Sequence, residues 1–235
     1  LRDSYFVVQA LNRLGATKTM EAYMHYIVNV SADAGGGPLQ PVYGITGRAD
    51  LAESELTSLD GYRGMGPVRV GNQAFTQKQN DVYGAVILAA TRYFFDRRLR
   101  RPGLDSLFQR LETLGERAAA LYDVPDAGLW EYRGRQRVHT FSSIMCWAGC
   151  DRLARIAAQL ERPDRATYWR DKAAMIHAFI CKKAWDEEQK AFTEAFGRPE
   201  MDASLLTMYD LGFLDRDDPR FASTIRAIEK QLRRG

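Results

Sequence analysis

A chain of 235 residues with 46% hydrophobic and 27% charged side chains has the make-up of a globular protein with one sizeable core, which excludes a disordered segment. Lys plus Arg (33) nearly balance Asp plus Glu (30), and no basic run is interleaved with aromatics, so no nucleic-acid partner is expected. No apolar stretch approaches the roughly 18 residues that span a bilayer, no signal-peptide pattern opens the chain, and Cys146, Cys150 and Cys181 are too few and odd in number for a disulfide framework. The expectation is a soluble, cytoplasmic protein with no membrane partner, no metal and no cofactor.

In chain order, the helical recurrence of apolar residues predicts eight helices, over 4–13, 17–30, 74–97, 103–122, 139–160, 164–184, 201–211 and 218–233. Pro102, Pro163 and Pro219 stand where a first helical turn tolerates proline, because an N–H there has no helical partner to lose. The second, fourth, sixth and eighth helices set an apolar stripe against a charged face, as in Phe221, Ile225, Ile228 and Leu232 opposed by Arg226, Glu229, Lys230 and Arg233. They read as outer helices. The first, third, fifth and seventh are less polar around their circumference, as in Phe141, Ile144, Met145, Trp147 and Leu153, and read as inner helices packed on more than one side.

The connections alternate as well. Inner-to-outer links are short, near Gly15, from Arg98 to Pro102, from Glu161 to Pro163 and from Asp215 to Asp217, whereas outer-to-inner links run over 31–73, 123–138 and 185–200. With antiparallel neighbours every long loop emerges at one end, and long structured loops in a compact domain are commonly functional. The expected fold is all-α: an α/α toroid, incomplete, with four helical hairpins beside the usual ring of six, in a single domain over 1–235. The helical pattern begins without lead-in at Leu1 and stops just before Gly235, so the domain is expected to be truncated at both ends.

Two loop motifs and one helix start carry candidate chemistry. In the second long loop, Gly128-Leu129-Trp130-Glu131-Tyr132 sets one carboxylate between two rings; an apolar wall desolvates the charged form, as a general acid working near neutral pH requires, while packing plus a solvated acid is the plainer reading. At the start of the first helix, Arg2 and Asp3 offer a fork of donors and an acceptor for adjacent hydroxyls, or an ordinary N-terminal ion pair. In the first long loop, glycines and Pro67 shape an irregular backbone that presents Tyr62, Arg63 and Arg69. It lacks the Lys-Ser or Lys-Thr of a phosphate-binding loop. His139 opens the fifth helix as a cap or a supporting group, and nothing pairs it with a nucleophilic Ser or Cys.

The order of these motifs is more specific than any one of them. Leu1-Arg2-Asp3, Leu59-Asp60-Gly61-Tyr62-Arg63-Gly64, Pro67-Val68-Arg69-Val70-Gly71-Asn72, Gln79-Asn80-Asp81, Gly128-Leu129-Trp130-Glu131-Tyr132-Arg133-Gly134 and Met201-Asp202-Ala203-Ser204 together resemble bacterial members of glycoside hydrolase family 15, across essentially the whole chain. The resemblance implies a six-hairpin toroid and inverting, exo-acting hydrolysis of α-linked gluco-oligosaccharides of glucoamylase type, with α,α-trehalase activity as the alternative. It implies Glu131 as general acid, Arg2 and Asp3 as the pair holding the glucose at the cleaved subsite, Trp130 as a wall of that subsite, and Tyr62, Arg63 and Arg69 as pocket residues. The family's N-terminal β-sandwich domain and the late toroid segment carrying its general base have no counterpart here, so this stretch by itself is expected to be inactive. A carbohydrate-binding toroid without catalysis is the reading from another class, and an acid placed for the scissile oxygen argues against it.

Overall fold

The computed structural model describes residues 1–33, 37–99 and 103–234; Pro102 lies outside them. Helix α1 (Arg2–Arg13) turns back into α2 (Thr17–Asp33), and α3 (Asp81–Ala90) with the short α4 (Arg92–Phe95) leads to α5 (Leu104–Leu121). Next, α6 (Thr140–Gln159) pairs with α7 (Pro163–Lys183), and α8 (Thr207–Leu211) is followed by α9 (Pro219–Leu232). These hairpins form an all-α arc. Pro163 and Pro219 occupy first helical turns as expected, and the Asp218 carboxylate accepts the Arg220 N–H to cap α9.

The inner layer is α3 and α6. Every residue of α3 is buried, and α6 is buried from Thr140 through Cys150 without a break. The two cross so closely that a Cβ on Gly84 would stand 2.0 Å from the Met145 carbonyl oxygen. The outer helices bury single stripes: Phe108, Leu111, Gly115 and Ala118 on α5, and Ala166, Trp169, Ala173, Ile176 and Ile180 on α7. Each fully buried Phe, Leu or Ile of these stripes contributes about 1.5–3 kcal/mol of burial free energy. Cys146 and Cys150 are free and buried in this packing.

Three expectations change. The helix predicted over 74–97 is a 3-10 turn (Gln73–Thr76), an interruption, then α3 and α4. The interruption is tertiary, because the Lys78 carbonyl accepts the Ala127 N–H and the Asn80 N–H donates to Asp126, taking backbone groups a helix would have used. The helix predicted over 201–211 begins as a second 3-10 turn (Ala203–Leu206), since the Asp202 carboxylate caps Ser204 N–H. Finally, α1 is not packed on all sides. Phe6 (47% exposed) and Leu14 (80%) face an open cavity of about 820 Å³, shared with Phe95 of α4, Phe141 of α6 and Asp210 of α8.

Short antiparallel strands that periodicity did not predict brace two of the long loops: β1 (Ser54–Glu55) with β2 (Arg69–Val70), and β3 (Trp185–Asp186) with β4 (Ala191–Phe192). The three long loops meet at one end, as expected. Arg133 of the second reaches Glu53 of the first at 3.5 Å, and Arg135 and Arg137 of the second reach Glu194 of the third at 2.8 and 2.9 Å.

Candidate active site

The second long loop is held at its base by a backbone bridge between Asp126 and Arg137. Inside it, the Glu131 N–H donates to the Gly128 carbonyl at 3.2 Å and the Tyr132 N–H to the Ala127 carbonyl at 3.1 Å, closing a tight turn. Glu131 sits in that turn at φ +54°, a left-handed conformation that costs a non-glycine residue about 1 kcal/mol and that Arg63, Glu161 and Lys190 also adopt in turns of this chain.

Asp126 is the hub beneath the turn. Its buried carboxylate accepts the Asn80 N–H (2.7 Å), the Ser142 hydroxyl (2.8 Å) and the Gly128 N–H (3.1 Å), so it joins the approach to α3, the first turn of α6 and the Glu131 loop. Burial pushes its pKa up to about 7, although all three donors favour the charged form. Nothing in the sequence marked Asp126 apart from its neighbours. Its role appears only when three separate segments converge.

Arg2 is buried behind the same turn. Its Nε donates to Asp81 at 2.7 Å, Nη1 to the Leu129 carbonyl at 2.9 Å, and Nη2 to Gln79 Oε1 at 2.5 Å and more distantly to the Gly128 carbonyl. Its ion-pair partner is therefore Asp81, not the adjacent Asp3, because successive residues on a helix point to different sides. Asp3 stays exposed in the first turn of α1. The Gln79 amide continues the chain, donating to Gln77 Oε1 at 2.9 Å and to Glu131 Oε1 at 3.3 Å, while Gln77 Nε2 donates to the Glu131 carbonyl at 3.1 Å.

The burial expected for Glu131 is not what the structure shows: its side chain is exposed. Both flanking rings are drawn to other partners. The Trp130 indole N–H donates to the buried Asp202 carboxylate at 2.5 Å, leaving its ring 58% exposed. Tyr132 turns the other way, stacked on His139 (5.9 Å) with the Arg135 guanidinium 3.5 Å above its ring centre. His139 makes no capping bond to α6 and instead packs beneath the turn, where a Cβ on Gly128 would come within 2.6 Å of its ring. Burial lowers its pKa despite Glu194 at 3.4 Å, with Arg135 and Arg137 adding to the decrease.

The first long loop joins the site through Glu53, which pairs with both Arg133 (3.5 Å) and Arg69 (3.8 Å). Tyr62 is 72% exposed with Arg63 5.1 Å over its ring, and among the described residues no hydrogen bond or ion pair links these two to Glu131. The structure thus brings together Arg2, Trp130 and Glu131, adds Gln79, Asp81, Asp126 and Asp202, and leaves Tyr62 and Arg63 apart.

An arc of antiparallel helical hairpins whose long loops gather at one end is the architecture of an incomplete helical toroid. Comparison with known proteins makes the class specific: residues 1–235 match the description of glycosyl hydrolases family 15. A trehalase of Mycobacterium tuberculosis is 34% identical over 234 residues, covering 99% of this chain and 34% of the relative, and a trehalase of Thermoplasma acidophilum is 28% identical over 235 residues, covering 99% and 39%. A bacterial glucoamylase solved with acarbose superimposes with a TM-score of 0.70 at 18% identity, covering 98% of this chain and 33% of that one, which shows the shared fold. The chain belongs to glycosyl hydrolase family 15. It spans about a third of the length of the curated relatives it matches.

Proposed function

We propose that this chain supplies the acid half of an inverting α-glucoside hydrolase, with Glu131 protonating the glycosidic oxygen as the bond to the anomeric carbon breaks. A glycosidic oxygen is a poor leaving group unless it receives a proton, and an acid aimed at it raises the rate by the roughly 10²–10⁴-fold typical of general acid catalysis. The observation that carries this reading is the placement of Glu131: an exposed carboxylate in a left-handed turn, braced by Gln77 and Gln79 and flanked by a Trp tied to Asp202. Asp3, exposed at the start of α1, is the acceptor for sugar hydroxyls, and Trp130 offers a ring for a sugar face, with Tyr62 farther out on the rim. Arg2 acts from behind by holding the turn, and Arg63 and Arg69 shape the rim. The water-activating carboxylate, which must lie roughly 6.5–9.5 Å from the acid, is assigned to no residue of 1–235, so this stretch by itself is expected to be inactive.

For the substrate, the curated relatives named trehalase support trehalose ahead of the maltose-type oligosaccharides favoured on motifs alone. The test is Glu131→Gln in the protein expressed from its complete reading frame, assayed on trehalose, maltose and α-glucosyl fluoride. Loss of about 10³-fold on the disaccharide that the parent enzyme cleaves, with a much smaller loss on the fluoride, is expected, because fluoride needs little protonation to leave. Equal losses on both substrates would remove Glu131 from the acid role. The disaccharide cleaved by the parent enzyme decides between trehalase and glucoamylase-type action.

A further inference from the structure

We infer that Gln79 is a positioning residue that fixes which oxygen of Glu131 carries the transferable proton; the inference rests on Glu131 being the acid. Gln79 is buried, and its amide has one possible orientation. Arg2 is a donor only, so the amide oxygen must face Arg2 Nη2, 2.5 Å away, and the NH₂ must face Gln77 Oε1 and Glu131 Oε1. The Asp81–Arg2 ion pair therefore sets the direction of the donor that reaches the acid. Gln77 and Gln79 are two residues apart on an interrupted, non-helical stretch, and both side chains reach the Glu131 turn, one at its carbonyl and one at its carboxyl.

The chemical consequence is directional. An N–H pointing at Oε1 makes that oxygen the acceptor, so the proton of the neutral acid resides on Oε2. On transfer, the Oε2 proton passes to the glycosidic oxygen, which keeps the electron pair of the broken C–O bond. The new carboxylate is left with the Gln79 N–H already directed at Oε1, a charge-assisted hydrogen bond formed without rearrangement.

Gln79→Glu tests this with little change of shape. It keeps an acceptor for Arg2 but replaces the donor facing Glu131 with a second acceptor, which draws the acid's proton away from the substrate. In the protein expressed from its complete reading frame, kcat on the natural disaccharide should fall about tenfold to a hundredfold, the scale of one charge-assisted hydrogen bond, with KM changed less than about twofold. On α-glucosyl fluoride the loss should be under about threefold. Gln77→Leu, at a partly exposed position, removes the acceptor that holds the Gln79 amide beside Glu131; it should show the same substrate pattern at about threefold, and it carries the test if Gln79→Glu does not fold. A purely structural role would lower both substrates together. Unchanged disaccharide-to-fluoride ratios in both variants, alongside a selective loss in Glu131→Gln, would overturn this inference and leave the acid assignment standing. Equal losses in Glu131→Gln would overturn both.

Discussion

At Asp126 two physical effects oppose each other. Three donors converge on its carboxylate, yet burial dominates and its pKa rises to about 7, well above the ~3.9 of an unfolded chain. A carboxyl whose folded pKa is raised binds its proton more tightly when folded, so its contribution to stability is complete below about pH 4 and is lost as pH climbs to about 7. Urea unfolding between pH 4 and 7 should therefore show the parent chain losing stability relative to Asp126→Asn, which has no proton to release. Parallel profiles for the two proteins would show that Asp126 does not titrate in this window. Asparagine would also turn an NH₂ toward one of the three donors, so the variant should start about 1–3 kcal/mol less stable at pH 4.

Among the elements, the α3–α6 crossing governs how accurately the site is built. Asn80 and Asp81 stand at the start of α3, and His139 and Ser142 at the start of α6, so any change in the spacing of these helices moves the supports of the Glu131 turn. Gly84 makes the close approach possible. Gly84→Ala places a methyl group 2.0 Å from the Met145 carbonyl oxygen, in backbone that cannot step aside. The expected cost is about 2–3 kcal/mol or more, read as a lower urea midpoint at unchanged slope. Beyond Asp81 in its first turn, helix α3 carries no charged position on any face, so its burial was legible from composition. The interruption before it was not, because the hydrogen bonds that break the helix belong to a loop nearly fifty residues later.

For the molecule as a whole, the arc leaves one side of α1 uncovered. Phe6, Leu14 and Phe95 all face the open cavity of about 820 Å³, where they stand exposed among Arg13, Arg92, Arg152 and Arg155, and uncovered apolar side chains of this kind drive association. Residues 1–235 produced in isolation should sediment as concentration-dependent oligomers. Phe6→Lys combined with Leu14→Lys should shift them toward monomer with little change in helical content. A monomer at all concentrations would show that this face is not sticky.

Periodicity determined the order of the long helices, the inner and outer roles of α3, α5, α6, α7 and α9, and the gathering of the long loops at one end, while it ran two of the eight predicted helices across breaks. Those features follow from which side chains avoid water, and that preference is written locally. The loop that carries Glu131 was legible too, through its aromatic and glycine content. What only the tertiary structure decided is who touches whom: Arg2 with Asp81 instead of Asp3, Trp130 with Asp202, and Tyr132 turned away to His139. Each of those partners is distant in sequence or chosen by the side of the helix from which a side chain departs. A buried donor takes whichever acceptor the packed fold brings within about 3 Å. The expected burial of Glu131 failed for that reason, since the two rings flanking it in sequence were claimed by partners that the sequence could not place.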